Sequence, residues 1–370
     1  MKTNQLQKNI PNGWQLIKLA SVCNKEKSDI SVNTLDFNSG NYPIYGASGF
    51  IKNIDFYRQK KGYISIIKDG AGVGRLTLHK AQTSVLGTLD ILHENENSSL
   101  MFLYFLLQTI DFKKYIVGST IPHIYFKDYK KEKIMIPLIP EQNRIVCVLE
   151  TWDKVIKNLN KKIEIKKQTK KVLMKNLLTG KKRLAGFKDK WETKEIGELL
   201  DYEQPNKYIV EDTDYDDIHK TPVLTANKAF ILGYTNEVSG IYKNNPVIIF
   251  DDFTMDNKFV DFDFKVKSSA IKILTPKNKD VNLKFVFERI QLINVIIGQH
   301  RRHYLSEYQY ITIDTPNNKE QNAIAEILTM ADKEIMELER KLEIIKGQKK
   351  FLLNNLITGT IRTPENLKVN

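Results

Sequence analysis

Apolar side chains recur at steps of four and three over two stretches of the chain. In the first, Ile145, Leu149, Trp152, Ile156, Leu159 and Ile163 fall on one stripe. In the second, Ile324, Leu328, Ala331, Ile335, Leu338, Leu342 and Ile345 do the same. Such a heptad stripe marks a helix that buries a narrow seam against another helix. Both stretches follow a proline and carry a Glu-Gln pair in the first turn, where acidic groups suit the positive end of a helix. Both stop at Thr-Gly, so Gly180 and Gly359 are candidates for the left-handed residue after the last turn. About 36 residues at ~1.5 Å each predict rods of roughly 50 Å. Each rod must bury its seam, and the other copy is the nearest surface of its kind. The pattern predicts a two-stranded intramolecular coiled coil, with Glu334, Glu337, Glu339 and Glu343 facing the lysines of the first helix.

The segments before each helix have a different period. Short β-rich runs, Tyr63 to Ile67 and Val247 to Phe250, alternate with turn signals such as Asp69-Gly70. Short helices are predicted at Leu100–Leu107 and Leu283–Ile290. Neither segment contains an apolar run of membrane-spanning length, and MKTNQLQKNIPNG lacks the apolar core of a signal peptide, so a soluble cytoplasmic protein is expected.

The two halves repeat each other. Aligned without a gap, 137–183 and 316–362 share 22 identities in 47 positions. The likeness continues more faintly: Trp14 matches Trp191, GYISIIKD matches NPVIIFDD, SLMFLYFLL matches NLKFVFERI, and GSTIPHIYF lies opposite GQHRRHYLS. The elements keep their order while the loops diverge most, which suits one scaffold recognising two different things. The expected divisions are a first domain at 1–136, a helix at 137–183, a second domain at 184–315, a helix at 316–362 and a tail at 363–370.

Charge sharpens this picture. The chain carries +13 overall, which points to a polyanionic partner. Residues 1–136 carry +7 and 137–183 carry +9, whereas 184–318 carry −4. Two cysteines, Cys23 and Cys147, give neither a disulfide framework nor a metal spacing.

Five motifs bear on chemistry. SIIKDGAGVGR at 65–75 has the glycines of a nucleotide-binding turn, but RLTLHKAQTSVLG follows as strand where that mechanism needs a helix N-terminus; a tight hairpin is expected instead. NNPVIIF lacks the second proline and the aromatic of an amino-methyltransferase motif. Asp251, Asp252, Asp256, Asp261 and Asp263 could hold Mg²⁺ for phosphodiester cleavage, or simply form a polar loop between strands. In Gln299-His300-Arg301-Arg302-His303-Tyr304, arginines could fork onto guanine or phosphate and a tyrosine could stack on a base. The lysine run Lys161, Lys162, Lys166, Lys167, Lys170 and Lys171 fits a solvated helix face, a phosphate backbone or a partner subunit.

The paired segments PLIPEQNRI…KNLLTG and PNNKEQNAI…NNLITG resemble the specificity subunit of type I restriction–modification systems, as do SIIKDGAGVGR…SVLGTL and IIFDDFT. The resemblance covers essentially the whole chain. It implies an α+β fold of two mixed α/β target-recognition domains in tandem, each followed by a long helix, the helices forming an antiparallel intramolecular coiled coil. It implies a non-catalytic subunit that reads one half of a bipartite double-stranded DNA site per domain, for phage defence. Two modification subunits would supply S-adenosylmethionine-dependent adenine methylation, and restriction subunits would add ATP- and Mg-dependent translocation and cleavage. On this reading the candidate DNA contacts are Tyr45, Ser48, Lys68, Arg75, Ser119, Thr120, His123 and Tyr125 in the first domain. In the second they are Asn227, Lys228, Lys243, Arg301, Arg302, His303 and Tyr304. The alternative is a self-contained Mg-dependent nuclease built on the aspartates from Asp251 to Asp263.

Overall fold

The computed structural model describes residues 10–369 apart from Asp36, Lys228 and 294–302. The chain divides into two compact units, Met1–Asn160 with Arg340–Asn370, and Lys161–Glu339. The heptad stripes lie on the two longest helices, α3 (Ile139–Leu177) and α6 (Asn318–Ile357), and each helix contributes one part to each unit. Helix α3 begins before the Glu-Gln pair, and Pro140 sits in its first turn, where a missing N–H costs nothing. Among the described residues no helix is long and apolar enough to cross a membrane.

In the first unit, β1 (Trp14–Lys18) pairs antiparallel with β9 (Lys133–Pro137). An antiparallel sheet runs in the order β2 (Cys23–Lys27), β8 (Leu89–Glu94), β5 (Tyr63–Ile67), β6 (Leu76–His79). A second sheet has the order β4 (Gly49–Ile54), β3 (Tyr42–Gly46), β7 (Ser84–Val85). All five residues of β5 are buried, Ser65 among them, as in a strand with both faces covered. Helix α1 (Leu100–Gln108) is capped by Ser99, whose hydroxyl accepts from the Phe102 amide, and a one-turn helix α2 (Phe126–Tyr129) follows.

The second unit repeats this plan strand for strand. Strand β10 (Glu192–Glu195) pairs with β18 (Thr312–Thr315). The larger sheet has the order β11 (Leu200–Glu203), β17 (Ile271–Pro276), β14 (Val247–Asp251), β15 (Asn257–Val260). The smaller has the order β13 (Ile231–Thr235), β12 (Thr221–Leu224), β16 (Lys265–Val266). Two helices complete it, α4 (Ile196–Leu199) and α5 (Leu283–Ile290), the latter capped by Asn282.

Within each unit the parts of α3 and α6 run antiparallel. In the first, Lys349 pairs with Asp153 at 2.5 Å, and Ile145 and Leu149 share a core with Leu353, Leu356 and Ile357. In the second, Lys166 pairs with Glu334 at 2.8 Å, Lys167 with Glu339 at 2.6 Å and Lys170 with Asp332 at 2.6 Å. Every stripe position named above is buried or half-buried. Three of the six lysines in the run are therefore held by acidic residues of α6, while Lys161, Lys162 and Lys171 are exposed. Two of the four expected glutamates depart: Glu343 pairs with Lys346, three residues on along its own helix, and exposed Glu337 takes part in none of these cross-helix pairs.

The Glu-Gln pairs do more than meet a helix dipole. Glu141 accepts Arg362 Nε at 2.6 Å, Arg362 Nη2 at 2.8 Å and the Trp14 indole N–H at 3.1 Å. Glu320 takes Arg183 Nε and Nη2, each at 2.6 Å, and the Trp191 indole at 3.2 Å. Each arginine lies over its tryptophan ring, at 5.8 Å and 5.5 Å. Gln142 and Gln321 accept from the backbone of Ser99 and Asn282, the residues that cap α1 and α5. The duplicated Glu-Gln, Trp and closing Arg form one clasp per unit, tying the long helices to the sheet region. Gly180 and Gly359 have φ of 66° and 71°, the left-handed turn that sends the chain from helix end to clasp.

Candidate nucleic-acid interface

The glycine-rich segment of the first unit is a hairpin. Strands β5 and β6 pair antiparallel, and Gly70, Gly72 and Gly74 between them have φ of 84°, 86° and 84°. A Cβ on Gly74 would lie 2.8 Å from Phe112, so at that position the turn has neither the backbone nor the room for another residue. The segment after the glycines is strand β6, as expected, and not a helix.

Around this hairpin the chain gathers the residues singled out in the first unit. The Arg75 guanidinium donates to the Ala47 carbonyl in the β3–β4 turn, beside half-buried Tyr45 and exposed Ser48. The loop carrying exposed Ser119 and Thr120 is closed by two backbone hydrogen bonds between Val117 and His123, at 2.9 and 2.8 Å. It is pinned to the hairpin by Gly70 N–H to Pro122 O at 2.9 Å and by Ile124 N–H to Lys68 O at 3.0 Å. His123 Nδ1 meets Asp69 at 2.8 Å, and Tyr125 lies parallel to the His123 ring at 6.4 Å. The hairpin is anchored from below by His79, which bonds Ser65 at 2.8 Å and stacks on Tyr63. Burial pulls the His79 pKa down to about 4.

Sequence reasoning misses four lysines here. Lys25 and Lys27 on β2, and Lys127 and Lys130 around α2, line a cleft of about 570 Å³ beside Lys68 and Tyr125. The only signal in the sequence is the alternation of Lys25 and Lys27 on a half-exposed strand.

The second unit arranges its candidates differently. Asn227 and Lys243 are exposed. Lys228, Arg301 and Arg302 lie outside the described residues. His303 and Tyr304 are each 1% exposed, which corrects the expectation of a stacking tyrosine at this loop. Tyr304 packs against Phe250 and Tyr202 at 5.4 and 5.6 Å, and burial pushes its hydroxyl pKa well up. His303 Nδ1 meets Glu307 at 3.2 Å. An aromatic ring beside the hydrophobic sheet gains more from burial than its single hydroxyl loses.

The aspartate cluster is likewise structural where it is buried. Asp251 accepts the amides of Phe253 and Thr254, making a turn. Asp252 pairs with Lys272 at 3.1 Å and accepts the Tyr304 amide at 2.9 Å. Asp256, Asp261 and Asp263 are exposed, and no described group of His, Cys, Asp and Glu is placed to hold a metal.

One mixed α/β plan is thus built twice along the chain, each copy clasped to the long helices and bearing different loops. The sequence model described as type I restriction modification DNA specificity domain matches residues 11–167 and again 188–346. The chain belongs to that family. It is 43% identical over 190 residues to the specificity subunit of the Escherichia coli type I restriction enzyme EcoR124I/EcoR124II, a match spanning 48% of this chain and 46% of that protein. It is 23% identical over 410 positions to the MjaVIII specificity subunit of Methanocaldococcus jannaschii, covering 95% of this chain and 94% of that one. The solved S subunit of a type I restriction–modification system from M. genitalium superposes with a TM-score of 0.67 at 17% identity, over 94% of this chain and 96% of that one. At that identity the likeness is one of fold.

Proposed function

We propose that each unit reads one half of a divided DNA site, using residues 1–136 and 184–315, and that the chain organises the other subunits of a type I restriction–modification complex. The observation that carries this is one sheet topology built twice, with different residues at the loops. The chain itself supplies recognition; S-adenosylmethionine belongs on two modification subunits, and ATP and Mg²⁺ on restriction subunits. Apolar side chains left exposed on the long helices suit subunit contacts: Val155, Ile344 and Phe351 in the first unit, and Ile165, Val172, Met330 and Met336 in the second. Nothing in the geometry favours the nuclease reading, since Asp251 and Asp252 are committed to a turn and an ion pair.

The test is domain exchange. The chain is co-expressed with a modification subunit, and methylated adenines are mapped across the host genome. Replacing 184–315 with the matching segment of a relative is expected to change one half of the methylated motif and leave the other. A change in both halves together would sink the independent-reader model.

A further inference from the structure

The registers of the two larger sheets match the units residue by residue. Ile66 lies opposite Asp90 on β8, and Phe250 lies opposite Lys272 on β17. Ile64 and Ile66 join the core packed on the long helices as Ile248 and Phe250 do, so the strands match one residue out of step with the sequence alignment of GYISIIKD and NPVIIFDD. Asp90 and Lys272 are therefore equivalent, and so are Lys68 and Asp252, each two residues beyond the matched strand position. Both units place an ion pair here with reversed signs: Lys68 with Asp90 at 3.6 Å, and Asp252 with Lys272 at 3.1 Å.

The environments differ as much as the signs. In the second unit the pair is sealed, with side chains 2% and 1% exposed, and Lys272 also donates to Gln204 at 3.0 Å. In the first unit only the carboxylate is sealed. Asp90 is 4% exposed at the floor of the cleft, with Lys25 at 3.4 Å and Lys68 at 3.6 Å, whose side chains are 18% and 22% exposed. Those separations are longer than direct hydrogen bonds, so the two ammonium groups are positioned with donors to spare. Lys27, Lys127 and Lys130 add three more positive charges around the cleft, and Asp69 is already engaged by His123. By the same register, the second unit has Tyr202 in place of Lys25, and one residue past the end of β11 Gln204 stands where the first unit has Lys27.

We propose that this cleft in the first unit holds phosphates of the DNA backbone, and that the described residues of the second unit do not form its counterpart. The proposal rests on the DNA-reading role. Lysine is a compact point charge that suits phosphate oxygens without fixing a base. Tyr125, 46% exposed with Lys127 Nζ 5.2 Å above its ring, gives the rim a flat face for a sugar or a base. The first unit supplies the sequence-independent grip, which matches the +7 of residues 1–136 against the −4 of 184–318.

The experiment uses the full chain and a fluorescent duplex carrying no known target, with affinity measured from about 50 to about 200 mM salt. The variant Lys27→Gln with Lys127→Gln changes two exposed side chains, so its thermal melting should match the wild type. Its plot of log affinity against log salt should be shallower by ~0.9 for each phosphate that the variant no longer neutralises. Tyr125→Ala should weaken binding while leaving that slope in place. If the wild-type chain does not bind duplex DNA, the DNA-reading role fails and the cleft with it. If it binds and the double variant keeps the wild-type slope, the cleft proposal alone fails. Inorganic phosphate, titrated calorimetrically, separates the two sources of the anion: variant-sensitive phosphate binding with an unchanged DNA slope would mark a free-phosphate site and overturn the proposal.

Discussion

Lys272→Met isolates the sealed ion pair of the second unit. Methionine replaces most of the lysine stem, so little packing is lost and the change is chiefly electrostatic. Asp252, 2% exposed at its side chain, would keep the Tyr304 amide at 2.9 Å and lose its only ion-pair partner within 4 Å among the described residues. Breaking a buried pair from one side costs about 3–5 kcal/mol, because the remaining charge stays uncompensated. At ~1.4 kcal/mol per tenfold, that is roughly a hundredfold to a few thousandfold in the opening equilibrium. Amide hydrogen exchange read by mass spectrometry reports it locally. Protection in Val247–Asp251 and Ile271–Pro276 should fall by that factor, while Tyr63–Ile67 and Leu89–Glu94 of the first unit keep theirs. Adding Asp252→Asn removes the stranded charge and should recover most of the loss, since replacing a buried pair outright is often nearly neutral. Protection within about threefold of wild type in the single variant would refute the argument. So would a double variant less protected than the single one.

Two further outcomes follow from the geometry. His79 is held neutral, with its pKa lowered from 6.5 to about 4 by burial, so the unfolded chain takes up the proton first as pH falls. That contribution to the first unit is full above about pH 6.5 and drains away toward about pH 4; His79→Gln should flatten the exchange protection of β5 and β6 across this window, and an acid response identical to wild type would count against it. One heptad inserted both after Asn160 and after Glu339 keeps the stripes in phase and adds about 10 Å to each helix, roughly three base pairs at ~3.4 Å each. An active variant should methylate a site with a longer spacer and unchanged half-sites; activity on the original spacer would show that helix length does not set it.

The long helices are legible in the sequence because their stripe is a local pattern repeated over many turns. The short helices are legible too: the second spans Leu283–Ile290 as expected, and the first runs one residue beyond Leu107. The hairpin at Gly70–Gly74 follows from glycines ahead of an alternating run. What stays hidden depends on pairings distant in sequence. Glu141 and Glu320 look like helix-dipole partners alone, because Arg362 and Arg183 lie 221 and 137 residues away. The lysine cleft is assembled from β2, the hairpin and α2, so no window of sequence contains it. Tyr304 misleads because its neighbours Arg301 and Arg302 suggest a surface, whereas the ring answers to Phe250 and Tyr202.

The clasp of Trp14, Glu141 and Arg362 bears on biosynthesis. The first unit needs residues from both ends of the chain: its core includes Leu353, Leu356 and Ile357, and its clasp closes on Arg362. The second unit is continuous from Lys161 to Glu339. A ribosome adding about 5–20 residues per second takes roughly 10–40 s to travel between those points. Throughout that interval the first-made half lacks Leu353, Leu356 and Ile357 from the core that holds Ile145 and Leu149, and Glu141 lacks its arginine. The half translated second is thus the first that can finish folding, and the half translated first is the one exposed to chaperones and proteases until the final helix emerges.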